Sequence, residues 1–146
     1  MKLAETVVSS LLSRSDILAA VDYEPMKMEF KSHVYTGCRS RSFLMEGESL
    51  ITVEKLIRLY TGKSAARTMA SMADVKERIC YLVNAIAEIT GMTDFGKYLT
   101  AMLEIDAFFL NEDRHTNNIG VVYHPKPDGF DIALILIMDW LYLRIQ

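Results

Sequence analysis

The stretch LEIDAFFLNEDRHTNNI, residues 103–119, contains the pattern that decides the fold prediction. Its first half ends an apolar series at three- and four-residue spacing, which is typical of an amphipathic helix. That series is Phe95, Leu99, Met102, Ile105 and Phe109. Residues 111–117 are polar throughout and predict a loop, and the apolar run 119–123 predicts a strand. The stretch therefore reads as a helix, a polar loop and a strand.

Two side chains in this loop, Asp113 and Asn118, stand five positions apart. Phosphoryl transfer to a hydroxyl needs a carboxylate beside the hydroxyl and an oxygen ligand for magnesium, both held by rigid neighbours. The catalytic loop of protein kinases has an aspartate and a metal-binding asparagine at this spacing, also between a helix and a strand. The alternative is that these side chains only bond their own backbone, as is common in loops.

The run 103–119 resembles the catalytic segment of HipA-like kinases, which are bacterial proteins with a protein-kinase-like or phosphatidylinositol-kinase-like fold. The resemblance extends from about Ala4 to Ala133 and is most specific at the loop. Known members transfer phosphate from ATP to a serine or threonine of a protein, and some act as toxins in toxin–antitoxin pairs. The resemblance therefore implies ATP and Mg²⁺ as cofactors, and a protein substrate or an antitoxin-like protein as partner.

The same resemblance assigns roles to individual loop residues. It implies that Asp113 and His115 are the catalytic residues: Asp113 orients the acceptor hydroxyl, and His115, with Arg114, fixes the loop by hydrogen bonds. Asn118 is the implied magnesium ligand and cofactor-binding residue. Asn111 is expected to cap or fix the entry to the loop.

Two parts of the family pattern are not found in this sequence, so we expect a fragment truncated at both ends. The first is the strand whose lysine binds the nucleotide phosphates. Glu5 matches the helix glutamate that pairs with this lysine and is a candidate cofactor-binding residue; the alternative is a solvated first-turn acid that favours the helix dipole. The second is a magnesium-binding aspartate, in a segment like Phe-Asp-Asn-Gly, after the catalytic loop.

Residues 134–146 read LILIMDWLYLRIQ where the family shows that aspartate segment. One choice of codons gives, in another reading frame, Pro-Tyr-Phe-Asp-Asn-Gly-Leu. Met138 before Asp139 forces the glycine codon in that frame, and Asp139 before Trp140 forces the leucine codon; the other codons are a free choice. We therefore expect an aberrant, frameshifted tail, which either aggregates or packs as a terminal strand. Sequencing the gene tests this expectation.

Composition restricts the class of protein. Hydrophobic residues make up 51% and charged residues 24%, which is a globular balance. The net charge of −3 gives no overall basic field, so we expect no nucleic-acid partner. The two cysteines, Cys38 and Cys80, form no metal or disulfide motif and indicate a cytoplasmic protein. The polar start is unlike a signal peptide, and no apolar run is long enough to predict a membrane span.

The remaining elements follow from periodicity and capping. Val7, Val8, Leu11 and Leu12 predict a first helix with one apolar stripe. Alternation predicts a strand over residues 26–30, and a turn is expected at 31–33. Residues 34–36 and 39–44 are expected to be returning extended segments, which are separated around Gly37. The helical pattern starts at Ile51, with helices between Thr52 and Gly62, over 64–72, and between Asp74 and Gly91. Residues 130–133 complete a hairpin with 119–123.

These elements predict an α+β, mainly helical fold: a kinase-like C-lobe with a small β segment and an incomplete N-lobe. The expected domains are a remnant of the N-lobe and hinge (1–50), the helical C-lobe with the catalytic loop (51–133) and the aberrant tail (134–146). The expected function is that of a fragment of an ATP-dependent HipA-like kinase, inactive as it stands. The alternatives are a non-catalytic protein-binding module and a decayed gene product. The run TGKS at 61–64 is not a phosphate-binding loop, because it follows a helix and lacks the partner glycine.

Overall fold

The computed structural model describes residues 4–16, 20–126 and 128–135. The chain divides between Phe43 and Leu44 into two compact units. Unit 1 contains the described residues up to 43 together with 134–135, and unit 2 contains residues 44–133. Helix makes up 42% and strand 23%, which confirms the α+β class. The division lies inside the segment 1–50 that was predicted as one remnant, and the identification of kinase lobes stays a prediction.

Unit 1 begins with α1 (Ala4–Leu12). The predicted four-residue stripe is half correct, because Val8 and Leu12 are buried whereas Val7 and Leu11 are each 52% exposed. Residues four apart lie on one helix face. The buried face therefore contains Val8 and Leu12, one position later in the chain than the exposed pair Val7 and Leu11. Ser9 belongs to this buried face.

Hydrogen bonds connect α1 to the chain that follows it. The buried Ser9 hydroxyl donates to the Val21 carbonyl and accepts from the Tyr23 amide, both at 2.9 Å. Ala20 forms a parallel bridge with Ile135, and the Val21 amide donates to the Ile135 carbonyl. Ile135 is fully buried, so the described start of the predicted tail packs into unit 1. Residues 136–146, which include Asp139, lie outside the described residues.

A β-hairpin forms the rest of unit 1, from β1 (Glu24–Phe30) and β2 (His33–Arg39). Lys31 and Ser32 form its two-residue turn, both with positive φ, the geometry that matches strand twist in tight hairpins. The predicted break at Gly37 was wrong, because β2 runs through it and Gly37 pairs with Met26. The predicted strand over 39–44 was also wrong. β2 ends at Arg39, whose guanidinium pairs with the Glu24 carboxylate at the start of β1.

Unit 2 combines four helices with a three-stranded antiparallel sheet of order β3-β4-β5. Its elements are β3 (Ser49–Thr52), α2 (Val53–Thr61), α3 (Ala65–Ala70), α4 (Val75–Thr90), α5 (Phe95–Phe109), β4 (Gly120–His124) and β5 (Gly129–Ile132). The central strand β4 follows the polar loop directly, so the loop lies between a helix and the middle of the sheet. The predicted hairpin of the last two strands is confirmed.

The strand β3 was missed, because Ile51 was assigned to the start of a helix. Ile51 pairs with Val121 in the sheet, and α2 begins two residues later. A short apolar run fits a strand or a helix equally well. Thr52 serves both elements: it ends β3, and its hydroxyl caps α2 by accepting from the Lys55 amide at 3.2 Å.

The predicted ends of α2 and α4 are confirmed. Gly62 and Gly91 terminate α2 and α4 with φ of 71° and 76°, the left-handed conformation that glycine adopts without strain. Asp74 caps α4 by accepting from the Lys76 amide at 3.0 Å. The residues of the predicted stripe of α5 are buried from Phe95 through Ile105. No helix in the described part of the chain is long and apolar enough to cross a bilayer.

The core of unit 2 lies between these helices and the sheet. Its buried apolar residues are Val53, Leu56, Ile57, Ala65, Leu82, Ile86, Phe95, Tyr98, Leu99, Met102, Ile105, Ile119, Val121, Val122 and Ala133. Burying each large side chain of this kind contributes roughly 1.5–3 kcal/mol before conformational entropy is subtracted. This packing fixes the C-terminal half of α5 and the start of β4, which are the two ends of the polar loop.

Candidate functional site

The polar loop begins where α5 ends at Leu110, a non-glycine residue in the left-handed conformation (φ 56°). The Leu110 and Asn111 amides both donate to the Asp106 carbonyl, which closes the last helical turn. Leu110 is 84% exposed, so its side chain does not hold the turn in place by packing. A strained backbone of this kind persists where its surroundings impose it, often beside functional loops.

A buried ion pair fixes the middle of the loop to α5. Arg114 binds the Asp106 carboxylate through two bonds, Nε to Oδ2 at 2.6 Å and Nη2 to Oδ1 at 2.7 Å. Both side chains are 8% exposed. Paired bonds from a planar guanidinium fix orientation as well as distance. The predicted role of Arg114 in fixing the loop is therefore confirmed, and Asp106 is the partner that the sequence pattern did not reveal.

The same carboxylate also orients the entry to the loop. Asn111 Nδ2 donates to Asp106 Oδ1 at 2.7 Å, and Asn111 Oδ1 accepts from the Asp113 amide at 3.3 Å. Asp106 thus holds Arg114 directly and the backbone of Asp113 through one intermediate side chain. These bonds confirm that Asn111 fixes the entry to the loop.

The charges of this ion pair affect the pKa of a buried tyrosine on α5, Tyr98. Burial raises the pKa of Tyr98 to about 12; the positive charge of Arg114 opposes this shift and the negative charge of Asp106 adds to it. Tyr98 is therefore a neutral phenol at ordinary pH. The two charges of the pair act on the pKa of Tyr98 in opposite directions, so removing either partner leaves the effect of the other unopposed.

Asn118 is a loop residue whose side chain is buried and oriented by one hydrogen bond. It is 5% exposed, its Nδ2 donates to the Asp113 carbonyl at 2.8 Å, and its backbone amide donates to the His115 carbonyl at 2.8 Å. Because a carbonyl only accepts, the Asn118 amide nitrogen must face Asp113 and the amide oxygen must face away. That oxygen, Oδ1, is buried and has no hydrogen-bond partner among the described residues.

Asp113 and His115 lie on the solvent side of the loop. The structure therefore combines an exposed carboxylate with a buried amide five residues later, joined by the bond from Asn118 to the Asp113 carbonyl. The imidazole Nδ1 of His115 accepts from the Asn117 amide at 3.3 Å. The catalytic assignments of Asp113 and His115 stay predictions.

Besides the ion pair of Asp106 with Arg114, a second set of hydrogen bonds holds the loop, from the N-terminus of α2. The buried Glu54 carboxylate accepts from the Thr116 hydroxyl and the Ala66 amide, each at 3.0 Å, and pairs with Arg58 at 2.8 Å. The Glu54 amide donates to the Thr116 carbonyl, and the Val53 amide donates to the Ile119 carbonyl. The first amides of α2, which need acceptors outside the helix, thus bind the loop backbone.

The electrostatic state of Glu54 follows from these bonds. Burial alone raises its pKa, but hydrogen bonds from the Ala66 amide, the Ser64 and Thr116 hydroxyls and Arg58 together leave the pKa lowered. Glu54 is therefore ionised at neutral pH and accepts these bonds as a carboxylate. Its contact with Thr116 joins positions 62 residues apart in the chain.

One oxygen at this loop fits magnesium, the ion that the family resemblance implies. The unpartnered Asn118 Oδ1 is an oxygen of the type that Mg²⁺ accepts, and Mg²⁺ commonly takes only one or two protein ligands beside phosphate and water. The residues fit the ion to this extent. The described residues contain no group of three or more His, Cys, Asp or Glu side chains that could form a metal site without such co-ligands.

Glu5 is the other predicted cofactor-binding residue. It lies in α1 of unit 1, and its side chain is outside the described part of the chain. Its assignment stays a prediction. The carboxylates that hold the loop, Asp106 and Glu54, were both missed from the sequence. A signal that could have found Asp106 is its place beside the apolar stripe of α5.

Comparisons with protein-family models, with curated proteins and with solved structures found no match for the chain. The family resemblance of residues 103–119 therefore stays a prediction.

Proposed function

We propose that residues 111–118 form a phosphotransfer loop of the HipA-like kinase type, which acts on a serine or threonine hydroxyl of a protein. Asp113 orients the acceptor hydroxyl, and Asn118 presents its amide oxygen to the magnesium of a nucleotide complex. Asp106 and Glu54 hold the loop in place from α5 and α2.

One observation carries this proposal: the buried Asn118 Oδ1 has no hydrogen-bond partner among the described residues. Most buried polar atoms in native proteins are bonded, so an unbonded one calls for an explanation. Its orientation is fixed, because the amide nitrogen is held by the Asp113 carbonyl. A cation bound at this oxygen would satisfy it, five residues from an exposed carboxylate.

The bracing of the loop supports the proposal further. Phosphoryl transfer depends mostly on positioning and charge, so a loop that serves it must be rigid. The ion pair of Asp106 with Arg114 is buried, and the Glu54 carboxylate is satisfied from three directions. A loop that only connected a helix to a strand would not need two buried carboxylates to hold it.

In the proposed reaction the bond between the γ-phosphorus of ATP and the bridging oxygen breaks, and ADP leaves with that electron pair. A new bond forms from the acceptor hydroxyl oxygen to the phosphorus, and the hydroxyl proton passes to Asp113. Bound magnesium would supply positive charge to the phosphate oxygens. We expect transfer by this chain alone to be slow, because a full site of this type also uses a second metal carboxylate and a nucleotide-binding lysine.

The test measures Mg²⁺-dependent ATP binding and phosphate transfer by the full chain. Asn118→Ala should abolish the magnesium dependence of nucleotide binding, whereas Asn117→Ala, its exposed neighbour, should leave it unchanged. Asp113→Asn should lower any transfer by about a hundredfold or more, as expected for loss of a group that handles the proton. Glu112→Gln is the matched control for that change.

Two results would contradict the proposal. One is nucleotide binding that is absent or independent of magnesium in the wild-type chain. The other is an Asn118→Ala variant that binds magnesium and nucleotide as well as the Asn117→Ala control does.

A second candidate is a non-catalytic protein-binding module, which two exposed apolar side chains favour. Phe108 is 80% and Leu110 84% exposed, and both immediately precede the loop. Exposed apolar groups close together mark partner surfaces more often than single ones do. If this candidate is correct, a Phe108→Ser variant should lose a protein partner captured by the wild type, and Asp113→Asn should retain it.

A further inference from the structure

The β-hairpin of unit 1 is a sheet of only two strands. Among the described residues, β1 pairs with β2 and with no other strand, so each strand has an outer edge without a strand beside it. A two-stranded hairpin is at best marginally stable in water, and three or more strands with an apolar face are needed for independent stability. The outer edges are therefore surfaces at which a further strand would add stability.

The turn of the hairpin decides which backbone groups lie on the outer edge of β1. In a two-residue hairpin the residues that flank the turn, which are Phe30 and His33, bond to each other. Hydrogen-bonded pairs then alternate with non-bonded pairs along the ladder. The amides and carbonyls of Phe30 and of every second residue before it therefore face β2. Those of Glu29, Lys27 and Pro25 face outward, and of these three only Pro25 offers no amide.

One face of the hairpin is apolar and largely open to solvent. Because side chains alternate along a strand, Met26, Met28 and Phe30 share one face of β1, and Tyr35 of β2 lies opposite Met28 on the same face. Phe30 is 56% and Tyr35 51% exposed, whereas Met26 and Met28 are half-buried. A wider sheet would extend this apolar face instead of leaving it as an isolated patch.

The sequence of β1 is complementary to itself when it runs antiparallel to a second copy. If Met28 stands opposite Met28 of the second copy, Lys27 of each copy stands opposite Glu29 of the other. Both charged side chains are exposed, on the face that Met28 does not share. Opposite charges directly across a ladder stabilise a sheet, and like charges destabilise it. The same register places Met26 opposite Phe30, a favourable contact between sulfur and an aromatic ring.

Charge disfavours the neighbouring registers. Moving the centre of the pairing by one residue places either Lys27 opposite Lys27 or Glu29 opposite Glu29. In the register centred on Met28, Lys27 and Glu29 are also the residues whose backbone groups face outward. Each of the two cross-strand pairs that they form can therefore exchange both backbone hydrogen bonds. A lysine on an edge strand usually opposes pairing, but Glu29 of the second copy supplies its counter-charge.

We propose that β1 is the dimerisation edge of this protein: two copies of the chain pair their β1 strands antiparallel around Met28 and form one four-stranded sheet of order β2-β1-β1-β2. The partner is a second copy, because the charge pattern of the edge is satisfied by its own sequence. The segment of β2 contains no pair of opposite charges that would select a register in the same way. This inference concerns unit 1 alone and is independent of the phosphotransfer proposal.

The test measures the association of the full chain by sedimentation equilibrium over a range of protein concentrations. The wild type should form a reversible dimer. Lys27→Glu places glutamates opposite each other in both cross-strand pairs, and Glu29→Lys does the same with lysines. Each variant alone should therefore raise the dissociation constant of the dimer by about tenfold or more, since two attractive pairs become repulsive.

Mixing the two variants tests the register itself. In an equimolar mixture, each glutamate of Lys27→Glu meets a lysine of Glu29→Lys, so a heterodimer should form with about the dissociation constant of the wild type. Lys55→Glu is the matched control, because it changes the net charge by the same amount at an exposed position of α2 in unit 2. This control should leave the dimer unchanged.

Three results would overturn the proposed dimer. The first is a wild type that stays monomeric up to its solubility limit, as it would if another segment of the same chain covered the edge. The second is a dimer that Lys27→Glu leaves intact, which would indicate a different interface. The third is a mixture of the two variants that stays monomeric. Both substituted side chains are exposed on a strand, so circular dichroism of each variant should match that of the wild type.

Discussion

Replacing Asp106 by asparagine tests the bracing of the loop most severely. The change keeps the size of the side chain but removes the carboxylate that Arg114 binds at 2.6 and 2.7 Å, with both side chains 8% exposed. Breaking a buried pair by removing one partner typically costs about 3–5 kcal/mol, because a charge stays buried without its counterpart. Domains of this size are stable by about 5–15 kcal/mol, so unit 2 should lose a large part of its stability.

The assay is urea unfolding followed by circular dichroism, together with hydrogen exchange of the α5 and loop amides. Exchange is needed because the two units need not unfold together. Glu104→Gln, an exposed acid on the same helix, is the control and should change the unfolding free energy by less than about 0.5 kcal/mol. The double variant Asp106→Leu with Arg114→Met should be more stable than Asp106→Asn, since an apolar pair leaves no buried charge.

If Asp106→Asn lowers the free energy of unfolding by less than about 1 kcal/mol, the ion pair contributes no more than a surface pair does, which would contradict its role in bracing the loop. A double variant no more stable than the single one would equally show that the buried charge of Arg114 is not the source of the cost.

Three further predictions concern single residues. Because the pKa of Glu54 is lowered on folding, its contribution to stability is present above the ordinary value of 4.5 and is lost as pH falls through the lower folded value. In Glu54→Gln, the urea midpoint of unfolding should therefore fall less steeply with decreasing pH than in the wild type. With the pKa of Tyr98 raised to about 12 from 10.0, the contribution of this residue to stability should be complete below pH 10 and fall between those values. Tyr98→Phe should remove a late step from the tyrosinate absorbance titration. At Leu110, where φ is 56°, glycine should give a protein more stable than alanine by about 1 kcal/mol in the same denaturation assay, and equal stabilities would argue against the left-handed turn.

The predictions that succeeded rest on local signals. Thr52, Asp74, Gly62 and Gly91 mark helix ends because capping is decided within one turn of the chain. The loop at 111–117 was predictable because polar residues interrupt two apolar patterns. These signals also placed Asp113 and Asn118 between a helix and a strand, as the structure has them.

The features that were predicted wrongly or missed depend on tertiary partners. Ile51 reads equally well as strand or helix until Val121 pairs with it. Glu54 looks like an ordinary first-turn acid, and only the return of the chain 62 residues later brings Thr116 to its carboxylate. The exposure of Val7 and Leu11 likewise depends on which face of a short helix finds a partner.

The most direct test of the proposed loop uses Mn²⁺ in place of Mg²⁺, since both ions prefer oxygen ligands. In the presence of a non-hydrolysable ATP analogue, substoichiometric Mn²⁺ should broaden the side-chain amide signals of Asn118 selectively, because its Oδ1 would bind the ion. The signals of Asn84, exposed on α4, should stay sharp. Asn118 signals that remain as sharp as those of Asn84 at every Mn²⁺ concentration would contradict the assignment of this loop to phosphotransfer.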